Sequence, residues 1–353
     1  MKNVENILII QTAFIGDAIL TLPLIQFVKR LSPRCQVDVV VAPRTKELFA
    51  NHPSIREAIA YDKRGIDRGI RGLLRMVKRM RNRRYALALV PHRSLRSASL
   101  AWMLRIPHRI GFDKSGGKFL LTATVKYRKD LHEIERNLSL LLGVGIESFP
   151  KELPHVYPST QDQKRVNKLL IEMEVGHPEN LIALAPGTIW NTKRWLKERF
   201  ASLAVQLDDE GFEIVLVGGT EDEKLCEEIL KLSGSSKVYN TAGKFSLLQS
   251  AELLRRSRAL VSNDSAPMHL AVAVGTPVVA IFGATVPEFG FGPVGPFDAV
   301  VETRGLKCRP CSIHGGDKCP IKTFECMDAI SYERVFTTVM RVLEQVRINN
   351  PSR

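Results

Sequence analysis

Leu260-Val261-Ser262-Asn263-Asp264-Ser265-Ala266-Pro267-Met268-His269-Leu270-Ala271 leads into Gly275-Thr276-Pro277-Val278-Val279-Ala280-Ile281-Phe282-Gly283, and this stretch decides the fold. A short apolar run of β character breaks into small polar residues and then into a helix with Pro267 in its first turn. Gly275-Thr276-Pro277 ends that helix before a second buried strand. The opening amides of such a helix have no partner within it and sit at the positive end of its dipole, so the turn is a ready seat for a phosphate group. Asn263, Asp264 and Ser265 are all residue types that cap a helix, and His269 falls one turn inside. Taken alone, the stretch fits two readings equally: a phosphate-binding turn, or a capped α/β helix carrying a solvated histidine.

The same alternation extends upstream. Residues 181–185 form a buried strand ending at Pro186-Gly187-Thr188, and a loop from Trp190 to Trp195 leads to a helix over about 197–208. Lys193 stands just beyond a strand end, where an ammonium meets a pyrophosphate, although a surface lysine is the default reading. Residues 212–217 are the next strand, closed by Gly218-Gly219-Thr220, with Glu221, Asp222 and Glu223 opening a helix. The glycines admit close backbone approach. The acidic residues either accept from ribose hydroxyls or simply suit a first helical turn. Loop 240–246 places Ser246 to cap a helix running to Arg255; downstream lie a glycine-rich segment at 289–293 and an amphipathic helix over 332–346.

The N-terminal half repeats the pattern. Residues 6–11 are a continuous apolar run, the mark of a strand buried on both faces, followed by Thr12 to Asp17 and an amphipathic helix over 18–31. Gly16 lets the chain turn tightly. Asp17 either caps the helix or faces a ligand, since open α/β sheets hold ligands beyond the carboxyl ends of their strands. The three spaced glycines of a dinucleotide fingerprint are missing, which argues against a nicotinamide-dependent dehydrogenase. Strands over 36–41, 58–61 and 86–90 and a helix over 94–104 continue the alternation, which predicts a parallel sheet with helices on both faces. Between them, residues 63–84 hold Arg68, Arg71, Arg75, Lys78, Arg79, Arg81, Arg83 and Arg84 around an apolar stripe of Leu73, Leu74, Met76, Val77 and Met80. This is a basic amphipathic helix, suited to plain solvation or to a membrane surface or phosphate. His92 and Arg93 follow the next strand and line the same side. Proline-rich residues 149–160 read as a linker, giving domains over 1–158 and 159–330.

With 353 residues, 44% of them hydrophobic, the chain can supply two cores. No apolar run approaches the roughly 20 residues that span a bilayer, and no signal-peptide pattern opens the chain, so a cytoplasmic protein is expected. A formal charge of +14 implies an anionic partner, which leaves nucleic acid, anionic lipid and phosphorylated substrates open and keeps a non-enzymatic polyanion- or membrane-binding protein as an alternative. Four of the six cysteines cluster as Cys308, Cys311, Cys319 and Cys326. The first pair has zinc-like spacing, with His314 as a spare ligand. The second half lacks a close pair, so a cysteine-bearing surface loop is the rival reading.

Taken in order, Ile15-Gly16-Asp17, Pro186-Gly187-Thr188 with Lys193-Arg194-Trp195, Val217-Gly218-Gly219 with its acidic residues, and Ser262-Asn263-Asp264-Ser265 to His269 make a set. Through them the sequence resembles the lipopolysaccharide heptosyltransferases of glycosyltransferase family 9, across nearly its whole length. The tail with Cys308, Cys311 and Cys319-Pro320 looks more like the branch that adds the second heptose. The resemblance implies a GT-B architecture, two Rossmann-like domains with parallel sheets facing a central cleft. The acceptor would lie on the N-terminal domain, ADP-L-glycero-β-D-manno-heptose on the C-terminal one, and the last helix, 331–346, would pack back on the first. It further implies inverting heptosyl transfer to the lipid A–Kdo inner core in a Gram-negative cytoplasm, peripheral on the anionic inner membrane, without cofactor, catalytic metal or nucleic-acid partner. Carried over by position, Asp17 is the base and Lys193 stabilises the departing pyrophosphate. Gly16, Thr188, Gly218, Gly219, Asn263, Asp264, Ser265, Ala266 and His269 meet the donor, Glu221 or Asp222 its ribose, and Phe245 its adenine. Arg68, Arg71, His92 and Arg93 meet the phosphorylated acceptor. A transferase of the same fold using another nucleotide sugar is the nearest rival.

Overall fold

Continuous apolar runs become the inner strands of parallel sheets, because a strand covered by helices on both faces has no polar side to show. The computed structural model describes residues 5–349; residues 1–4, which the sequence leads straight into the first strand, and 350–353 lie outside the described residues. The chain divides between Tyr157 and Pro158 into two units, within one residue of the expected linker break.

The first unit runs β1 (Asn6–Gln11), α1 (Ile15–Ile19), α2 (Leu22–Leu31), β2 (Gln36–Val41), β3 (Glu57–Ala60), α3 (Gly69–Met80), β4 (Leu87–Val90), α4 (Leu95–Met103), β5 (His108–Phe112), β6 (Ala123–Val125) and α5 (Glu133–Ser139). Its six strands are all parallel, in the order β3-β2-β1-β4-β5-β6, and Ile9 of β1 lies opposite Val39 and Leu89. Where one helix is expected over 18–31, the structure has two. Pro23 has no N–H for the carbonyl of Ile19, so α1 stops and α2 restarts with the proline in its first turn. Helix α3 buries Gly72, Leu73, Met76 and Met80, while Leu74, expected in the apolar stripe, is half exposed beside exposed Ile66 and Ile70.

The second unit runs α6 (Thr160–Glu172), β7 (Leu181–Ala185), α7 (Lys197–Asp209), β8 (Glu213–Leu216), α8 (Glu223–Ser233), β9 (Val238–Asn240), α9 (Leu247–Arg256), β10 (Ala259–Asn263), α10 (Ala266–Ala273), β11 (Val278–Phe282), β12 (Ala299–Glu302), α11 (Glu325–Asp328) and α12 (Tyr332–Asn349). The order β12-β11-β10-β7-β8-β9 is the same winding as in the first unit, with β7 and β10 in the places of β1 and β4. Ser246 caps α9 as expected, accepting from Gln249 N–H. Val335, Val339 and Val342 of α12 are buried in the core formed by β7, β8, β10 and β11 with α7, so its apolar stripe covers the second sheet.

One charge in the first core is fully enclosed. Asp38 on β2 has no exposed surface and accepts hydrogen bonds from Arg56 (2.5 and 2.9 Å), Arg83 (2.7 Å) and Tyr85 (2.6 Å). Burial alone would raise its pKa, but the donors, Arg56 first, outweigh burial and hold the carboxyl below its usual range. Asp38→Ala leaves two cations and a phenol around an empty place, and equilibrium urea denaturation should show a loss of about 3 kcal/mol, the low end for a broken buried pair because both guanidinium groups reach water. Because the folded pKa is depressed, this contribution is complete above the unfolded carboxylate value near pH 4 and fades as pH falls through the lower folded value. The wild-type protein should therefore lose its advantage over Asp38→Ala only in strong acid.

Candidate active site

In a doubly wound parallel sheet, the neighbours from which the chain winds outward in opposite directions leave a crevice beyond their carboxyl ends. Here these neighbours are β1 and β4 in one unit and β7 and β10 in the other. Of the residues expected to act, Gly16, Asp17, His92, Arg93, Thr188, Lys193 and the Asn263 to His269 stretch follow these four strands, whereas Gly218, Gly219, Glu221 and Asp222 follow β8, Phe245 follows β9, and Arg68 and Arg71 follow β3.

In the first unit, Gly16 and Asp17 occupy the first turn of α1. Asp17 Oδ2 accepts from the Phe14 N–H at 3.2 Å, so the capping reading of Asp17 holds for one oxygen. A carboxylate has about four acceptor positions, so the cap leaves capacity for a proton. Facing this turn from the end of β4, His92 Nδ1 lies 2.9 Å from Thr12 Oγ1 and 2.9 Å from Ser97 Oγ. Lys63 donates to the same Thr12 hydroxyl and sits 3.4 Å from His92. Burial, then the charges of Lys63 and Arg93, push the His92 pKa down to about 4, so its ring is neutral at pH 7. Burial and then Arg96 pull Lys63 down to about 8, and among the described residues no carboxylate lies within ion-pair distance of it. Arg93 lies over the Tyr127 ring at 4.1 Å, whereas Arg68 and Arg71 are exposed at the start of α3 and show no contact with the His92 cluster.

In the second unit, Asn263 closes β10 with a buried side chain that accepts from the Trp195 N–H (3.1 Å) and donates to the Pro186 carbonyl (2.8 Å). It thereby ties the loop after β7 to the loop after β10. Lys193 is carried on that loop and meets Asp264 Oδ2 at 2.6 Å, with Thr285 Oγ1 donating to the same oxygen at 2.7 Å. Ser265 holds the N-cap position of α10, but none of the three side chains makes the capping hydrogen bond expected of them. Asn263 is a cross-brace, Asp264 orients Lys193, and the Ser265 hydroxyl turns to the Asn263 carbonyl at 3.3 Å. The Asp264 N–H bonds the Ile281 carbonyl, which leaves the amides of Ser265 and Ala266 as the unbonded opening of α10. His269 is 5% exposed, so the solvated-histidine reading is corrected too.

Thr188 folds its hydroxyl into a local turn with Trp190 (2.7 and 3.0 Å). Asp222 accepts from the Gly219 N–H at 3.0 Å and packs against Gly187 and Gly218, where an added Cβ would lie 2.1 and 2.6 Å from its atoms. Glu221 beside it is exposed and Phe245 half-buried. A groove of about 730 Å³ shares Glu221 with this region but none of Thr188, Lys193 or Asp264. Cys308, Cys311 and Cys319 are partly exposed and Cys326 is buried, all as free thiols. Among the described residues no three His, Cys, Asp or Glu side chains are placed to hold a metal ion.

Lys63, Tyr127, Glu133 and Arg136 were not anticipated. Glu133 and Arg136 pair at 2.7 Å within α5, and opposite charges three apart beside apolar residues are the one sequence signal that marks them.

Two sheets of one winding, each with a polar cluster at its crevice, constitute the GT-B architecture. Residues 73–317 match the model for glycosyltransferase family 9 (heptosyltransferase). Lipooligosaccharide heptosyltransferase 2 of Haemophilus ducreyi is 32% identical over 300 residues, 80% of this chain and 85% of its own. The structure of E. coli ADP-heptose LPS heptosyltransferase II superposes with a TM-score of 0.79 at 25% identity over 96% of this chain and 99% of that one. A family 9 glycosyltransferase from Veillonella parvula shares the fold with a TM-score of 0.88 at 22% identity, covering 97% and 98%. The chain belongs to glycosyltransferase family 9.

Asn263→Ala strands a buried donor and a buried acceptor, each worth about 1–3 kcal/mol. We expect about 3 kcal/mol lower stability in urea denaturation, against less than about 0.5 kcal/mol for Ser265→Ala, whose long hydroxyl bond is weak. Equal losses would remove the cross-brace role.

Proposed function

We infer that the protein transfers L-glycero-D-manno-heptose from ADP-heptose to the lipopolysaccharide inner core, with the first heptose already in place on the acceptor. The observation that carries this reading is the pairing of a lysine on a strand-end loop with an open helix start, Lys193 at 2.6 Å from Asp264 beside the unbonded amides of Ser265 and Ala266. A diphosphate leaving group needs cationic and N–H donors where its charge grows, and this arrangement holds them in place before reaction. The names of the relatives support the sugar and the second position.

In this reading the acceptor hydroxyl oxygen attacks the anomeric carbon of the donor as the bond from that carbon to the diphosphate oxygen breaks. Its electron pair leaves on ADP, and the hydroxyl proton passes to Asp17. Lys193 and the Ser265 and Ala266 amides take up the charge developing on the diphosphate, with His269 and Thr188 lining its path. Between the two acidic candidates, Glu221 is assigned to the ribose, because Asp222 is turned inward to Gly219. Phe245 meets the adenine. The neutral His92, with Lys63 and Arg93, meets anionic groups of the acceptor, the ammonium of Lys63 gaining the counter-ion that it lacks.

Among the described residues no helix is long and apolar enough to cross a membrane. The proposed contact with the anionic inner leaflet is peripheral, through α3, where Arg68, Arg71, Arg75 and Lys78 flank exposed Ile70 and Leu74.

ADP release from ADP-heptose should depend on mono-heptosylated core and be slow with heptose-free core; a preference for the heptose-free core would move the protein to the first transfer. Asp17→Asn should lower kcat by about 10²–10⁴ with the donor still bound, and turnover within a few-fold of wild type would sink the base assignment. In sedimentation with vesicles of 30% phosphatidylglycerol, Arg68, Arg71 and Arg75 changed together to Glu should abolish binding. Unchanged binding would move the membrane contact elsewhere.

A further inference from the structure

We propose that Glu133 is a positioning residue for Asp17: buried behind it at the start of α5, its carboxylate raises the proton affinity of the base. The inference rests on Asp17 being the base.

The placement follows from one hydrogen bond. Asn137 of α5 donates to the Leu20 carbonyl at 3.0 Å, with both groups buried. Glu133 lies one turn before Asn137 on α5 and Asp17 one turn before Leu20 on α1, so this bond brings the two turns together, near enough for the charge of Asp17 to act on the Glu133 carboxyl. Asp17 is held from the other side by the Phe14 N–H, and Arg44, on the segment packed against α1, lies over the Phe14 ring at 5.3 Å.

Glu133 is 7% exposed, and its counter-ion is local. Arg136 pairs with it at 2.7 Å and is itself fixed by the Tyr127 hydroxyl at 2.9 Å and the Lys129 carbonyl at 3.3 Å. Arg93, beyond the end of β4, lies over the same Tyr127 ring at 4.1 Å. Helix α2, packed along α5, carries its charges Lys29 and Arg30 in its last turn, where they bond the Cys35 carbonyl and Glu152. The groups around Glu133 are thus Asp17, Arg136, Arg93 and Tyr127. Burial first, then the charge of Asp17, push its carboxyl up to about 7 against the pull of Arg136.

Like charges in a poorly solvated place repel mutually, so the pair loses its two protons in separate steps. Below pH 7 Glu133 keeps its proton and adds no charge beside Asp17. Above it Glu133 ionises, and Asp17 binds the acceptor proton more tightly. A buried glutamic acid serving only to anchor α5 would not couple to Asp17 in this way.

The test is the pH dependence of kcat in wild type and Glu133→Gln. Wild type should rise through a limb near pH 7. Glu133→Gln should move that limb down by at least about one pH unit, toward ordinary carboxylate values, and lower the plateau about tenfold with donor KM unchanged. A limb still near pH 7 in the variant, whatever its plateau, overturns the proposal. A second readout does not require Glu133→Gln to fold. The ¹³C carboxyl resonance of Glu133, identified by its absence in Glu133→Asp, should titrate at least about one pH unit lower in Asp17→Asn than in wild type. An unchanged midpoint overturns the coupling. Full turnover by Asp17→Asn would instead overturn the base assignment, and the resonance would still report whether the two carboxylates are coupled.

Discussion

Each sheet has one place where two adjacent parallel strands send the chain outward in opposite directions, and the peptide groups just beyond them have neither a strand nor a helix to bond. This constraint sets the problem that the polar residues solve. In the second unit Asn263 answers it by accepting from one loop and donating to the other, so that Trp195 and Pro186 are held at fixed separation from β10. Trp195 then extends the brace into the core, donating from Nε1 to the Ile330 carbonyl at 2.9 Å and packing edge-on against Phe200. Lys193 inherits its position from this frame. Its link with Asp264 is a consequence of rigid loops as much as of charge.

The charges inside the molecule follow one rule and one exception. Asp38 has three donors, and the half-enclosed Arg309 reaches the Gly283, Thr285 and Thr303 carbonyls and Glu302, which fastens the cysteine loop to the sheet edge. Such groups are multiply bonded because an unpaired charge away from water is costly. Lys63 is the exception, with a threonine and a neutral histidine for company. A cation kept short of a counter-ion gains more from an arriving anion than a surface lysine does, because little of its solvation remains to be lost.

The strands were legible from the sequence because burial on both faces leaves an unbroken apolar run, as at 6–11, 181–185 and 278–282. The switch-point turns were legible because glycine, proline and small polar residues punctuate them. What was not legible depends on partners far away in the chain. Asn263 reads as a cap from its neighbours alone, yet its partners are 68 and 77 positions away. The valines of α12 announce an amphipathic helix without saying which sheet they will cover. Pro23, by contrast, was in plain view and overrides the amphipathic run around it, which is why one expected helix became two.

In the proposed reaction, the cations that draw in an anionic acceptor also weaken Asp17 as a base. Arg44, Lys63, Arg93 and Arg136 surround the first crevice, and positive charge near a carboxylate stabilises its ionised form and lowers its affinity for a proton. A crevice built only of arginines would bind tightly and transfer slowly. A second carboxylate placed behind the base, out of reach of the acceptor, restores proton affinity without opposing the ligand at the surface. Glu133 is proposed for that part, buried in the helix that carries its own arginine and tied to the α1 end through Asn137. Binding and basicity can then be set by different residues on different elements, so the strong positive charge of the chain need not be traded against catalysis.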